Sequence, residues 1–170
     1  TNDIVTTDIT IEAATNSNLQ TICIWLKGGF INGAGVYQNN SFTGSNANTW
    51  GMYHLIISYT NSSQIWFAQS WYDGSQTEQN YYATVSPQSW NHLTVVKRAI
   101  STYDVYYNGS LILENCAREA NISSKFNLGR WWGGQFLQSL GTAVVQNYNR
   151  ALTAAEVLQN YNAQKSRFGL

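Results

Sequence analysis

The sequence predicts an all-β fold, an antiparallel sandwich carrying one short helix near its C-terminus. Three observations lead there. Short alternating or apolar runs recur along the chain, separated by clusters of Gly, Asn and Ser. An Asn108-Gly109 dipeptide stands between two β-rich runs, where it can supply a tight hairpin turn. The one strong helix signal arrives late, at Thr153.

Each element follows from its local pattern. "IVTTDITIEA" alternates, with Ile9 and Ile11 on one face. "LQTICIWLK" sets Ile22, Ile24 and Leu26 against Thr21, Cys23 and Trp25. "GMYHLIISYT", "QIWFAQSWYD" and "HLTVVKR" continue the series, and all read as strands of half-buried sheets. In "YDVYYNGSLIL" the Asn-Gly pair fits the two positive φ angles of a type I′ turn, which predicts a hairpin. Pro87 falls in the "VSPQSW" connection, where a missing N–H costs nothing. Thr153 followed by Glu156 forms a capping box, after which Ala154, Val157, Leu158 and Tyr161 line up as one apolar stripe. This predicts a short helix packed on the sandwich.

Composition bounds the function. The 170 residues suit one domain with a sizeable core. Nine basic residues balance nine acidic ones and only 11% of the chain is charged, which argues against a nucleic-acid or anionic-membrane partner. Aromatic content of 14% marks a folded chain. No apolar run reaches the roughly 18 residues of a membrane span, and "TNDIVTTDIT" lacks the basic and apolar regions of a signal peptide. Thr1 lacks an initiator Met and reads as the trimmed start of a longer protein, and Leu170 as a natural end. Cys23 and Cys116 show no CxxC spacing for zinc. Cys23 lies in an apolar run and reads as a small buried hydrophobe, with pairing to Cys116 the lesser alternative.

The blocks "SWNHLTVVKR", "YDVYYNGSLIL", "KFNLGR" and "YNRALTAAEVLQNYNAQKSRFGL" resemble, in that order, the laminin-G-like branch of the concanavalin A-like lectin/glucanase superfamily. "TICIWLK" is similar to the first core strand of that family. The resemblance implies a concanavalin A-like jelly-roll β-sandwich of two antiparallel sheets with one short C-terminal helix, over one domain spanning 1–170. The final block is similar to laminin-G-like domains of tailed-bacteriophage structural proteins, which implies a virion surface; such segments also occur in bacterial proteins. Two departures stand out. Asn147 occupies a place before Tyr148 that is normally apolar, and "SLGTAVVQ" has an ambiguous register, as a bulge would produce.

The chemistry of catalysis is not visible. Related glycosidases carry Glu-x-Asp-x-Glu on one strand, and this sequence has no such motif. Asp8 and Glu12 could share a strand face, yet on the order of 13 Å apart, beyond the reach of paired glycosidase carboxylates. His54 and His92 sit inside strand patterns and read as packed residues. No GxSxG, Walker loop, HExxH or GxGxxG is present, so the chain is expected not to be an enzyme. Calcium is the one cofactor the resemblance suggests, and Asp73 and Glu78 in "WYDGSQTEQN" are its candidate ligands; a solvated loop with an Asp-Gly turn is the simpler reading. Four Asn-x-Ser sequons, at Asn39, Asn61, Asn108 and Asn121, are what an Asn- and Ser-rich chain produces by chance.

Seven tryptophans need an account. Trp25, Trp66 and Trp90 fall in or beside strands and read as core, whereas Trp50 and Trp71 fit either role. In "NLGRWWGG", Trp131 and Trp132 follow the end of a strand, which leaves at least one indole at the rim. Such an indole can stack on the apolar face of a pyranose while Asn127, Arg130 and Gln135 bond its hydroxyls. The competing use of the pair is packing over the sheet end or contact with another subunit. The functions that follow are a non-enzymatic virion surface domain (decoration, fibre or adhesin) contacting host-cell glycan; a carbohydrate-binding module of a bacterial secreted or surface protein; or a ligand-free architectural component of a capsid or tail. Its expected partners are glycan or other virion proteins, in a homo-oligomer or larger assembly.

Overall fold

A computed structural model describes residues 5–12, 16–28, 42–44, 54–61, 64–70, 79–84, 90–117, 124–128 and 140–170. Its strands are β1 (Val5–Ile11), β2 (Gln20–Gly28), β3 (Phe42–Gly44), β4 (His54–Asn61), β5 (Gln64–Ser70), β6 (Gln79–Thr84), β7 (Asn91–Ala99), β8 (Thr102–Tyr107), β9 (Ser110–Ala117), β10 (Ser124–Leu128) and β11 (Leu140–Tyr148). A helix, α1 (Ala154–Gln164), runs into a 3-10 turn at Lys165–Phe168. One sheet has six strands in the order β1-β10-β3-β4-β5-β6, the other five in the order β11-β2-β7-β8-β9. Every pairing is antiparallel. This is the expected jelly-roll sandwich with its C-terminal helix.

The alternation read in β2 sorts its side chains between two cores. Ile22, Ile24 and Leu26 join Leu93, Val95, Val105 and Tyr107 between the sheets, where Ile9, Tyr81 and Ala83 pack from the six-stranded side. Cys23 points the other way, into a cluster with Val96, Tyr106, Leu152 and Val157. Residues 20–26 and 91–97 are consequently buried along their whole length, not half-buried as the strand pattern suggests. The cause is tertiary: α1 and the residues before it cover the outer face of the five-stranded sheet. Each fully buried aliphatic side chain contributes about 1.5–3 kcal/mol relative to exposure, so this second layer is a substantial part of the fold.

Helix α1 begins where the capping box predicts. The Thr153 hydroxyl accepts from the Glu156 backbone N–H at 3.3 Å, and the Glu156 carboxylate accepts from the Thr153 N–H at 2.8 Å. The predicted apolar stripe is narrower in the structure. Val157 is buried and Tyr161 half-buried, whereas Ala154 and Leu158 are exposed. Trp25 explains the docking: its indole N–H donates to Gln164 Oε1 at 2.6 Å, and its ring stacks on Phe168 at 4.1 Å and Tyr161 at 5.8 Å. Trp90, half-buried, meets Phe168 from the side at 5.0 Å. Arg98 fastens the chain entering the helix, bonding Asp104 and the Tyr106 hydroxyl at 2.6 Å each and the Leu152 carbonyl.

The hairpin and the bulge also appear. Asn108 has φ 50° and Gly109 φ 80°, the positive pair of a type I′ turn. The β11–β2 ladder passes from Ala143 opposite Trp25 to Val145 opposite Ile24, and the extra β11 residue, Val144, takes φ 51°. Neither cysteine forms a disulfide and both are buried, Cys23 under the helix and Cys116 between the sheets, so opposite faces of the five-stranded sheet keep them apart.

Candidate binding site

The expected carbohydrate platform and calcium pair fall mostly outside the described residues. Arg130, Trp131, Trp132, Gln135, Asp73 and Glu78 all lie there, as do Trp50 and Trp71. Asn127 lies in β10, its backbone paired with Thr6 on one side and Thr43 on the other. The described strands flanking those segments are nonetheless informative. The connection holding GRWWGG leaves β10 at Leu128, which pairs with Phe42, and enters β11 at Leu140, which pairs with Gly28. The 29–41 connection joins those same two partners, Gly28 and Phe42, so two crossovers share their anchor points. The 71–78 connection leaves from Ser70, paired with His54, at the opposite end of the six-stranded sheet. The tryptophan pair and the acidic pair are therefore not anchored together. Among the described residues no cluster of three His, Cys, Asp or Glu could hold a metal ion.

What the structure does assemble is a polar cleft that the sequence did not reveal. It opens where the exposed edges of the two sheets meet, β1 from one and β11 from the other, with a volume of about 560 Å³. Thr10, Glu12, Asn18, Gln20, Asn147, Asn149 and Arg150 are among the residues that line it. Gln20 is the clasp. Its amide nitrogen donates to the Thr10 carbonyl at 2.7 Å and to Asn147 Oδ1 at 2.8 Å, while its oxygen accepts from the Glu12 N–H at 3.0 Å. One side chain, 7% exposed, thus ties both sheet edges together. The Asn147 that breaks the family's apolar pattern is there to meet it, and that departure was the one signal in the sequence.

The carboxylate of Glu12 is positioned rather than free to swing. β1 ends at Ile11, so Glu12 is past the strand and not in register with Asp8. Its Oε2 accepts from Asn16 at 2.8 Å and Asn18 at 3.0 Å. Asn16 in turn receives the Lys97 ammonium on its carbonyl at 2.8 Å and on Oδ1 at 2.6 Å. Burial pushes the Lys97 pKa down, and the Glu12 carboxylate opposes that. Across the cleft Arg150 makes a two-pronged pair with Glu156 at 3.0 and 2.7 Å, which lowers the Glu156 pKa to about 2.

His92 is packed, as expected, and it is unusual. Its ring sits 5.0 Å from Trp25 and 6.1 Å from Tyr161, and neither ring nitrogen has a hydrogen-bond partner. Burial lowers its pKa to about 4. The side chain of His54 lies outside the described residues. The side chain of Asn108 is engaged in hydrogen bonds: its Oδ1 accepts from the His92 N–H at 2.8 Å and its amide nitrogen donates to Asn91 Oδ1 at 3.2 Å.

A two-sheet jelly roll with polar connections at its ends is the architecture of lectin-like domains. The chain belongs to the concanavalin A-like lectin/glucanases superfamily, which it matches over residues 2–158. No curated protein matches it significantly in sequence. Among solved structures it is similar to the receptor-binding domain of botulinum neurotoxin type G, at TM-score 0.60 and 17% identity, over 95% of this chain and 45% of that one. It thus spans less than half the toxin domain. It is also similar to the Ruminococcus gnavus IT-sialidase CBM40 bound to α2,3-sialyllactose, at TM-score 0.61 and 15% identity, covering 87% and 85% of the two chains. A third likeness is the heptameric SAP-like pentraxin of Limulus polyphemus, at TM-score 0.57 and 16% identity, covering 91% and 73%.

Proposed function

We propose that the chain is a non-catalytic carbohydrate-binding domain, one jelly roll over residues 1–170, displayed on the surface of a phage-like virion where it contacts host-cell glycan. The observation that carries the carbohydrate reading is the superfamily fold itself, matched over residues 2–158. A sugar-bound module supports it, being superposable over most of both chains. The virion reading is supported by the C-terminal block "YNRALTAAEVLQNYNAQKSRFGL", whose sequence is similar to that of laminin-G-like domains of tailed-bacteriophage structural proteins. Trp131 and Trp132 are the proposed stacking platform, with Asn127, Arg130 and Gln135 as hydroxyl partners; Asp73 and Glu78 are the proposed calcium ligands.

The test is binding of the purified chain to a glycan panel and to bacterial envelope polysaccharides, with and without calcium, beside Trp131→Ala and Trp132→Ala. Saturable binding that either substitution abolishes, with circular dichroism unchanged, supports the platform. Absence of binding to every sugar refutes the carbohydrate reading and favours an architectural role. An antibody against the domain should decorate purified particles if the virion reading holds. The coverage of the CBM40 likeness favours a second reading, a module of a bacterial secreted or surface protein. A gene neighbourhood without capsid or tail genes would select it.

A further inference from the structure

We propose that the cleft between the ends of β1 and β11 is a binding site for an uncharged oligosaccharide, held by Glu12, Asn18, Asn147 and Asn149. This rests on the carbohydrate-binding reading and adds a location and a charge class to it. Four features of the cleft support the assignment.

Its walls are held in place from behind. The clasp of Gln20 fixes Asn147, and Asn16 and Asn18 fix Glu12, so a ligand meets groups whose ordering cost is already met by the fold. Hydrogen-bonding capacity on those walls is unspent. Among the described residues, Glu12 Oε1, Asn147 Nδ2 and the side-chain amide of Asn149 have no partner. Carboxylate oxygens and amides offered side by side suit the alternating donors and acceptors of vicinal hydroxyls. Leu19, 38% exposed at the same cleft, supplies apolar surface for the C–H face of a sugar ring. The volume of about 560 Å³ lies within the range of small-ligand sites.

The charge class follows from how the ions are matched. Glu12 is balanced by the Lys97 ammonium behind Asn16, and Arg150 is claimed by Glu156. A sialylated or sulfated sugar would find no unclaimed cation among the described residues of the cleft. It would instead bring its charge against Glu12. An uncharged chain meets no such penalty, and its binding should depend little on salt.

The experiment is calorimetric titration of the purified chain with lactose, maltotriose, mannotriose and N-acetyllactosamine, and with α2,3- and α2,6-sialyllactose. Three substitutions address the cleft. Asn149→Ala removes an exposed amide that bonds nothing in the frame, Asn149→Trp fills the cleft, and Glu12→Gln removes the charge while keeping an acceptor. At least one uncharged sugar should bind more tightly than the sialylated pair. Asn149→Ala and Glu12→Gln should each weaken that binding by about tenfold, as loss of one well-made polar contact does, and Asn149→Trp should abolish it, with circular dichroism unchanged. Uncharged binding that survives all three substitutions but fails in Trp131→Ala or Trp132→Ala overturns the inference and leaves the carbohydrate reading standing. Equal or tighter binding of the sialylated sugars overturns the charge class. Failure of every sugar in this set and of the glycan panel overturns both readings together.

Discussion

His92 should make the protein lose stability in mild acid. Its imidazole is 1% exposed, has no hydrogen-bond partner at either nitrogen and titrates near 4, against 6.5 for a free imidazole. The folded state therefore resists protonation while the unfolded state accepts it. For a base with a depressed folded pKa the stabilisation is complete above 6.5 and is lost as pH falls from there towards 4. Linkage gives a slope of up to about 1.4 kcal/mol per pH unit in that window. The expected loss is about 2 kcal/mol between pH 7.5 and 5.0, and about 3 kcal/mol once pH passes below 4. Urea unfolding followed by tryptophan fluorescence at half-unit pH steps measures it, with His92→Phe as the reference. Any packing offset introduced by Phe is the same at every pH and cancels from the slope of the difference. A difference between the two proteins that stays flat from pH 7.5 to 5.0 would refute the buried, unpaired state of His92.

Other predictions test separate joints of the fold. Gly109→Ala should destabilise by about 1–3 kcal/mol in the same unfolding assay, because φ is +80° and the added Cβ would sit 2.9 Å from Leu158 Cδ1 and 3.1 Å from Tyr161 Cδ1. Thr153→Ala should cost about 1 kcal/mol by removing the helix cap, whereas Thr153→Ser should be close to neutral. Gln164→Leu leaves the Trp25 indole N–H unsatisfied in a buried place and should lower stability by about 1–3 kcal/mol, with a shifted tryptophan emission. Both thiols should resist a thiol reagent in the folded protein and react fully in denaturant, and reductant should leave the unfolding midpoint unchanged.

What the sequence made legible was local. Asn108-Gly109 announces its turn because few residues accept two successive positive φ angles, and Thr153 with Glu156 announces the helix because the bonds span three residues. The bulge in "SLGTAVVQ" was visible as a register that would not settle, and Val144 is the residue that unsettles it. Burial on both faces of β2 was not visible, since Thr21 and Cys23 look like the outward half of an ordinary amphipathic strand. Their cover comes from residues more than a hundred positions away: Thr21 Oγ1 donates to the Arg150 carbonyl at 2.8 Å and accepts from the Leu152 N–H at 3.0 Å. The cleft was hidden for the same reason. Gln20 and Asn147 are separated by 127 residues, and although Asn147 stands out as polar in "VVQNYN", nothing there names Gln20 as its partner.

The two proposed binding regions leave the sheets at different ends. The cleft sits at the Tyr148 and Thr21 end of the β11–β2 pair, whereas the GRWWGG connection enters at the Leu140 and Gly28 end. Nine residues of β11 separate those ends, a span on the order of 25 Å at the usual rise per strand residue. A disaccharide or trisaccharide cannot bridge such a distance. If both proposals hold and the tryptophans act near that anchor, the two regions take short ligands independently, with a stoichiometry of two per chain. A long polysaccharide could engage both, and its gain in affinity over the short sugar would come from effective concentration with no new contact. The dependence of affinity on sugar length thus separates the arrangements: a step upward as the chain passes the inter-site span indicates two working sites, and a smooth plateau after a few units indicates one.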